Sequence, residues 1–306
     1  MPAPHASRPV RLAGAVALAF SLLLGGCGAH RLSQAQDAFS KGAELENRAA
    51  ALSADSIAAY GSPFGYYRQA DSILRRDTDE RKDDLQQDGL LGTAYALHAL
   101  TLWRMADLST LDPAEPGSTD GTDAGDRLFA EAMQKKLAAE ALAGQLGPRD
   151  GFMLAILPKL RDHDKGMQVL AGNTAPGARR AHAFFKSAFE GVQAALDSGS
   201  LPANHGVLLY ARMVQLQTLV AWTQAIGRAL DDQQQRLRCR NAWIIPSLNR
   251  VLKDFGEDLK TRGIAEPGFI SQRFRAMGLN MPAGGDPIPL YRTDSSAGPA
   301  ACTALS

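Results

Sequence analysis

"RLSQAQDAFSKGAELENRAAAL" (residues 31–52) decides the fold class. Leu32, Ala35, Phe39, Gly42, Leu45, Ala49 and Leu52 recur at steps of three and four, the spacing that gathers side chains onto one face of an α-helix. A helix with one such stripe gains most of its stability from a partner packed against that face, so the segment predicts a packed helix. Ser33 is its predicted N-cap, and "YGSPFG" (residues 60–65) breaks it with Gly and Pro.

The same pattern continues outward. Apolar spacing predicts further helices over 66–75, 85–108, 127–144, 151–160, 178–196, 204–231, 236–260 and 267–277, with Pro246 kinking or dividing the one at 236–260. The chain carries 51 Ala but only 8 Val and 9 Ile among 306 residues. Alanine favours helix and β-branched residues favour strand, and no stretch alternates with a period of two. The expected fold class is all-α: stacked antiparallel helical hairpins, as either a repeat superhelix or an irregular helical bundle. "RRDTDERKDD" (75–84) reads as a solvated turn or helix end of mixed charge. "STLDPAEPGSTDGTDAGD" (109–126) reads as a flexible loop within one helical domain, 27–280, and the Pro-rich residues 281–306 read as an extended or disordered tail.

Two kinds of fragment resemble tetratricopeptide (TPR) repeats. "LGTAY" (91–95) looks like the Leu-Gly-x-x-Tyr segment of a repeat's first helix, where Gly permits close packing and Tyr fills the gap. "AQDAFSKG" (35–42) and "AHAFFKSA" (181–188) resemble the second helix, with Ala, an aromatic four residues on, then a small residue. The fragments do not recur at a fixed period. What the resemblance implies is a TPR-like superhelix whose Tyr95, His98 and Leu102 face would form a groove wall.

The N-terminus carries a different message. Arg8 and Arg11 precede the uncharged run "LAGAVALAFSLLL" (12–24), and no acidic residue occurs before Cys27. A basic segment followed by a short apolar one is the shape of a secretory signal, and the run falls short of the ~20 residues that span a bilayer. Leu24-Gly25-Gly26-Cys27 resembles the lipobox of bacterial lipoproteins. That resemblance implies cleavage between Gly26 and Cys27, removal of residues 1–26, a thioether-linked diacylglycerol on Cys27, and an added acyl chain such as palmitate on the new amino terminus. Two or more chains anchor stably where one does not. Gly28 stands where an Asp would imply inner-membrane retention, so the resemblance implies the outer membrane, facing the periplasm. With Cys27 lipidated, Cys239 and Cys302 remain as an even pair in an oxidising compartment, which predicts a disulfide between them.

From Cys27 onward 31 basic residues face 32 acidic ones, which excludes the basic excess of a dedicated nucleic-acid binder. His30, His98, His163, His182 and His205 never pair three or four apart on a helix, and no His-Glu-x-x-His, Gly-x-Ser-x-Gly, phosphate loop or Cys-x-x-Cys occurs. His163, in "RDHDKG" (161–166), reads as part of a solvated helix end. Glu131, Glu140 and Glu190 read as ordinary surface acids. No catalytic residue, metal site or cofactor is predicted beyond the covalent lipid. Trp103, Trp222 and Trp243 either fill gaps between helices or anchor a ligand. The function expected is a membrane-anchored helical scaffold or adaptor for an envelope protein partner; the alternative is the ligand-binding component of an envelope transport system.

Overall fold

The computed structural model describes residues 26–49, 63–109, 121–199, 201, 206–261, 302 and 305. Among them there is no strand, and the chain is all-α. In order the helices are α1 (Gly26–Ala49), α2 (Pro63–Asp79), α3 (Lys82–Gln87), α4 (Leu91–Leu108), α5 (Gly121–Glu140), α6 (Pro148–Ala171), α7 (Ala175–Asp197), α8 (Gly206–Ala229), α9 (Gln233–Cys239) and α10 (Ile245–Thr261). A 3-10 turn, Ala143–Gln145, comes after α5, and a π-turn, Arg240–Ile244, joins α9 to α10. Two compact units divide between Leu146 and Gly147. The boundary therefore does not fall in the predicted loop. Its residues 110–120 lie outside the described residues, and 121–126 already belong to α5, which packs back on α4 and so belongs with the helices before it.

In the first unit α1 and α2 run antiparallel: Arg31 near the start of α1 meets Asp77 at the end of α2, and Glu46 near the end of α1 meets Tyr67 at the start of α2. Gly42 makes the close approach, since a Cβ there would lie 2.9 Å from the Tyr67 ring. α4 packs on both α2 and α5 and is buried on most of its circumference. Its Ala94, Ala96 and Ala99 are fully buried. Leu32, Ala35, Leu74, Leu85 and Leu91 close the core at the end where α1 begins.

The second unit is a run of consecutive hairpins, α6 on α7, α7 on α8 and α8 on α10. Local sequence sets the breaks. Asn173 adopts a left-handed φ of 51° after α6, and Thr174 caps α7 by accepting from the Gly177 amide at 3.1 Å. Pro148 comes directly after Gly147 at the start of α6, where a missing N–H costs nothing. Phe185 is fully buried, and Gly166 makes room for it: a Cβ at 166 would lie 2.6 Å from its ring.

Several boundaries differ from the sequence reading. α1 starts at Gly26, so Ser33 is an interior residue rather than an N-cap. The 85–108 helix is two helices, separated where Gly89 takes a φ of +68°. α6 continues past Leu160 through "RDHDKG" to Ala171, because Arg161 and Asp164 are buried against the rest of the unit. Near Pro246 the predicted division is present, with the π-turn Arg240–Ile244 between α9 and α10. Proline cannot donate to the carbonyl of residue 242, and the chain widens into the π-turn immediately before it. The predicted helix at 267–277 lies outside the described residues.

Candidate functional site

The residue with the clearest chemical reading, Cys27, lies in the first turn of α1. The residues before Gly26 lie outside those described. Directly after Cys27 the chain is packed. Gly28 is buried, and a Cβ on it would lie 2.8 Å from Asp88 Oδ2 and 3.4 Å from Leu85 Cδ2. The side chains of Leu85 in α3 and Asp88 after it lie over α1 here, and a larger residue at 28 would displace the Asp88 carboxylate. One turn on, Arg31 Nε donates to Asp77 Oδ1 at 2.7 Å, and its Nη2 reaches Asp84 at 3.7 Å. Asp77 is 1% exposed, so this is a buried ion pair. Asp77 Oδ2 and Arg31 Nη2 have no hydrogen bond, which makes the pair costly to desolvate and costly to break.

The same end collects the start of α4 and the turn after α5. The Gly92 amide donates to Gln145 Oε1 at 2.9 Å, and Thr93 Oγ1 donates to the Gln145 carbonyl at 3.1 Å. Lys135 Nζ reaches Asp79 at 3.1 Å. Gly92, read from "LGTAY" as a close-packing glycine, does permit an approach. Its neighbours, however, are Leu142 and Gln145 of the turn rather than a following repeat helix.

The predicted groove face is interior. His98 and Leu102 are fully buried and Tyr95 is half-buried, because α4 is covered from both sides. An exposed wall would need these side chains to face solvent. Instead His98 Nε2 and Asp71 Oδ1 lie 2.8 Å apart. Burial alone would raise the Asp71 pKa, but the hydrogen bond and charge of His98, with Arg75 beside it, hold it below the ordinary 3.8. Arg75 also pairs with Glu131 at 2.8 Å, tying α2 to α5. Lower on α2, Tyr67 Oη donates to Glu46 at 3.1 Å and Arg104 grips the same carboxylate at 2.7 Å. Burial first, then the Glu46 charge, pushes the Tyr67 hydroxyl up and keeps it protonated. These charges clamp helices together, and Glu131 and Glu140 (2.6 Å from Lys136) are engaged in ion pairs.

The second unit has its own polar and aromatic groups. Trp222 Nε1 donates to His182 Nδ1 at 2.7 Å, which assigns the other ring proton to Nε2. Trp243 stacks on Trp222 at 5.9 Å and lies 5.0 Å from His182. Burial, then the nearby Lys186 charge, lowers the His182 pKa from 6.5 to about 4. Trp103 and Trp222 are core residues and Trp243 is half-buried against the core. Cys239 and Cys302 are joined by a disulfide with Cα atoms 5.2 Å apart. Leu305 packs on the same core.

One arrangement has the outline of a nucleophile site. Lys159 Nζ donates to Ser187 Oγ at 2.9 Å, and Ser187 Oγ donates to Asp162 Oδ2 at 2.7 Å. All three sit in the interior of α6 or α7, where backbone N–H groups are already bonded within the helix, so none is left to hold an oxyanion. The triangle is a clamp between two helices. His163, also in α6, lies 2.9 Å from Thr218 Oγ1 through Nδ1 and is no solvated helix end. His205 lies outside the described residues. Among the described residues no group of three or more His, Cys, Asp and Glu could hold a metal ion, and no helix is long and apolar enough to cross a membrane. No family model, curated protein or solved structure matches this chain.

Proposed function

We propose that this protein is a bacterial lipoprotein, held to the outer membrane through Cys27 and facing the periplasm, whose helical body acts as a scaffold or adaptor for another envelope protein. The observation that carries the reading is Leu24-Gly25-Gly26-Cys27 behind a charge-free run of 13 residues with Arg8 and Arg11 ahead of it. An acyl-transferring enzyme works at the membrane surface, so the thiol it modifies must sit at the end of an apolar segment. Small residues at 25 and 26 then leave the Gly26–Cys27 bond open to a peptidase. The lipid restricts the body to one surface and raises its effective concentration for a partner there. The TPR-like reading of the body belongs to this proposal. In its favour, Ala35 and Phe39 of α1 and Ala181, Phe185 and Ala188 of α7 all pack inward, as the second helix of such a repeat requires.

Mass spectrometry of the N-terminal peptide tests the anchor: a peptide starting at acylated Cys27 is expected, and an intact, unmodified segment 1–27 in the membrane fraction overturns it. Crosslinking in intact cells tests the adaptor. A recurrent envelope protein, lost on Cys27→Ser, is expected. Good recovery of the lipidated chain with no partner overturns the adaptor reading and transfers the search to a ligand.

A further inference from the structure

The chain between the anchor position and the folded body is one peptide unit long, and this fixes which end of the first unit faces the lipid. Cys27 is in the first turn of α1, and Gly28 is already buried beneath Leu85 and Asp88. Consecutive Cα atoms are about 3.8 Å apart, so no tether lies between a lipid attached at 27 and the packed start of α1. We infer, on the premise that the chain is a lipoprotein, that the end of the first unit built from the start of α1, the end of α2, α3, the start of α4 and the 143–145 turn lies against the phospholipid headgroups as a docking surface.

Polar contacts place these segments at one end: Arg31 with Asp77, Lys135 with Asp79, and Gly92 with Gln145. Over residues 76–88 the exposed charges are Arg76, Arg81 and Lys82 against five carboxylates, Asp79 and Asp84 among them. Their mixed sign gives no net attraction to an anionic surface, but it suits a layer of zwitterionic phosphoethanolamine groups, which offers phosphates to Arg and Lys and ammoniums to Asp and Glu. The occupant is therefore the bilayer surface itself, and the covalent anchor rather than long-range charge brings it into contact. The charged run 75–84, which reads from sequence as a solvated turn, becomes the membrane-facing edge. The opposite end of the unit, at the start of α2, stands back by about 20 Å, the rise of α2 from Gly65 to Asp79 at ~1.5 Å per residue.

The test uses the full lipidated chain in vesicles of phosphatidylethanolamine and phosphatidylglycerol containing a lipid with a nitroxide on its headgroup, a contact-range quencher. A fluorophore is placed on Gln86→Cys at the near end or on Gly65→Cys at the far end; both positions are exposed, and a Cβ at 65 meets nothing within 4 Å. The expected result is loss of most emission at 86 and little at 65. Inserting about ten Gly/Ser residues between Cys27 and Gly28, a tether with a reach of roughly 17 Å, should restore emission at 86 while the chain stays membrane-bound. Equal quenching at both positions, or none at 86, in a chain whose Cys27 is shown to be acylated overturns the inference and leaves the anchor standing. A chain without lipid on Cys27 overturns the lipoprotein reading and this inference with it.

Discussion

The two units are built from similar alanine-rich helices and are locked in different ways. Alanine allows close helix contact but removes little apolar surface from water per residue, so each unit needs something further to select one packing. The first unit uses charge: Arg31–Asp77, Arg104–Glu46, His98–Asp71 and Arg75–Glu131 each join a different pair of positions across α1, α2, α4 and α5. The second adds to its polar clamps, Arg212–Asp254 and the Lys159–Ser187–Asp162 triangle, a core of large apolar and aromatic groups, Phe185, Phe189, Trp222, Trp243 and Phe255, with the Cys239–Cys302 disulfide. Both share a glycine facing an aromatic ring, Gly42 against Tyr67 and Gly166 against Phe185. The difference shows that a common local composition leaves the choice of lock open, and that buried polar pairs and aromatic packing are two answers to one shortage of apolar area.

The largest effect expected on this contrast is at the disulfide. Cys302→Ser opens a loop of 63 residues in the second unit, worth about 4 kcal/mol in the chain-entropy model. Hydrogen exchange resolved by segment should show α8 to α10 loosening while α1 to α5 keep their protection. Close behind comes Arg31→Met, which strands the Asp77 carboxylate and should cost about 3 kcal/mol, confined to the first unit. Adding Asp77→Leu should recover most of that loss, since the apolar pair removes the uncompensated charge. A double variant no better than Arg31→Met would mean that the ion pair is not what locks this end.

Acid should separate the units next. The folded His182 pKa, about 4, lies below its unfolded 6.5, so the unfolded chain binds the extra proton first. Stability is then fully present above 6.5 and is lost as pH falls toward 4, by at most about 3 kcal/mol, and by less to the extent that half-buried Trp243 admits water. Asp71 has its pKa held below 3.8, so its contribution is present above 3.8 and fades only in stronger acid. Thermal unfolding followed by segment should show the second unit weakening first, and His182→Phe should flatten that slope.

The smallest effects test the shared feature. Gly166→Ala should cost about 1–2 kcal/mol because the Phe185 ring must shift. Gly42→Ala should cost less, since its contact with the Tyr67 ring, 2.9 Å rather than 2.6 Å, asks for a smaller displacement. Melting curves of the two variants should rank them in that order, and a neutral Gly166→Ala would mean that the second unit does not depend on the glycine notch.

Helical class was legible because three- and four-residue spacing and alanine content act locally, and local propensity does not depend on what a helix packs against. The stripe Leu32, Ala35, Phe39, Gly42 does face a neighbouring helix, and the lipobox resemblance around Cys27 lies in a short linear segment that is read without any fold. Partners across the sequence were not legible. Nothing in "RRDTDERKDD" says that Asp77 is buried under Arg31, 46 residues earlier, or that Asp164 in "RDHDKG" lies inside a helix. His98 and Leu102 were placed on a face by spacing, but spacing cannot tell an exposed face from one covered by a second helix. Only tertiary packing decides that, because burial is a property of what surrounds a residue. The sequence by itself determined the all-helical class, and it is the ground on which an anchor at Cys27 is proposed. The tertiary structure decided where the units divide, which charges are locked inside, and that the body begins one residue after Cys27, where Gly28 meets α3.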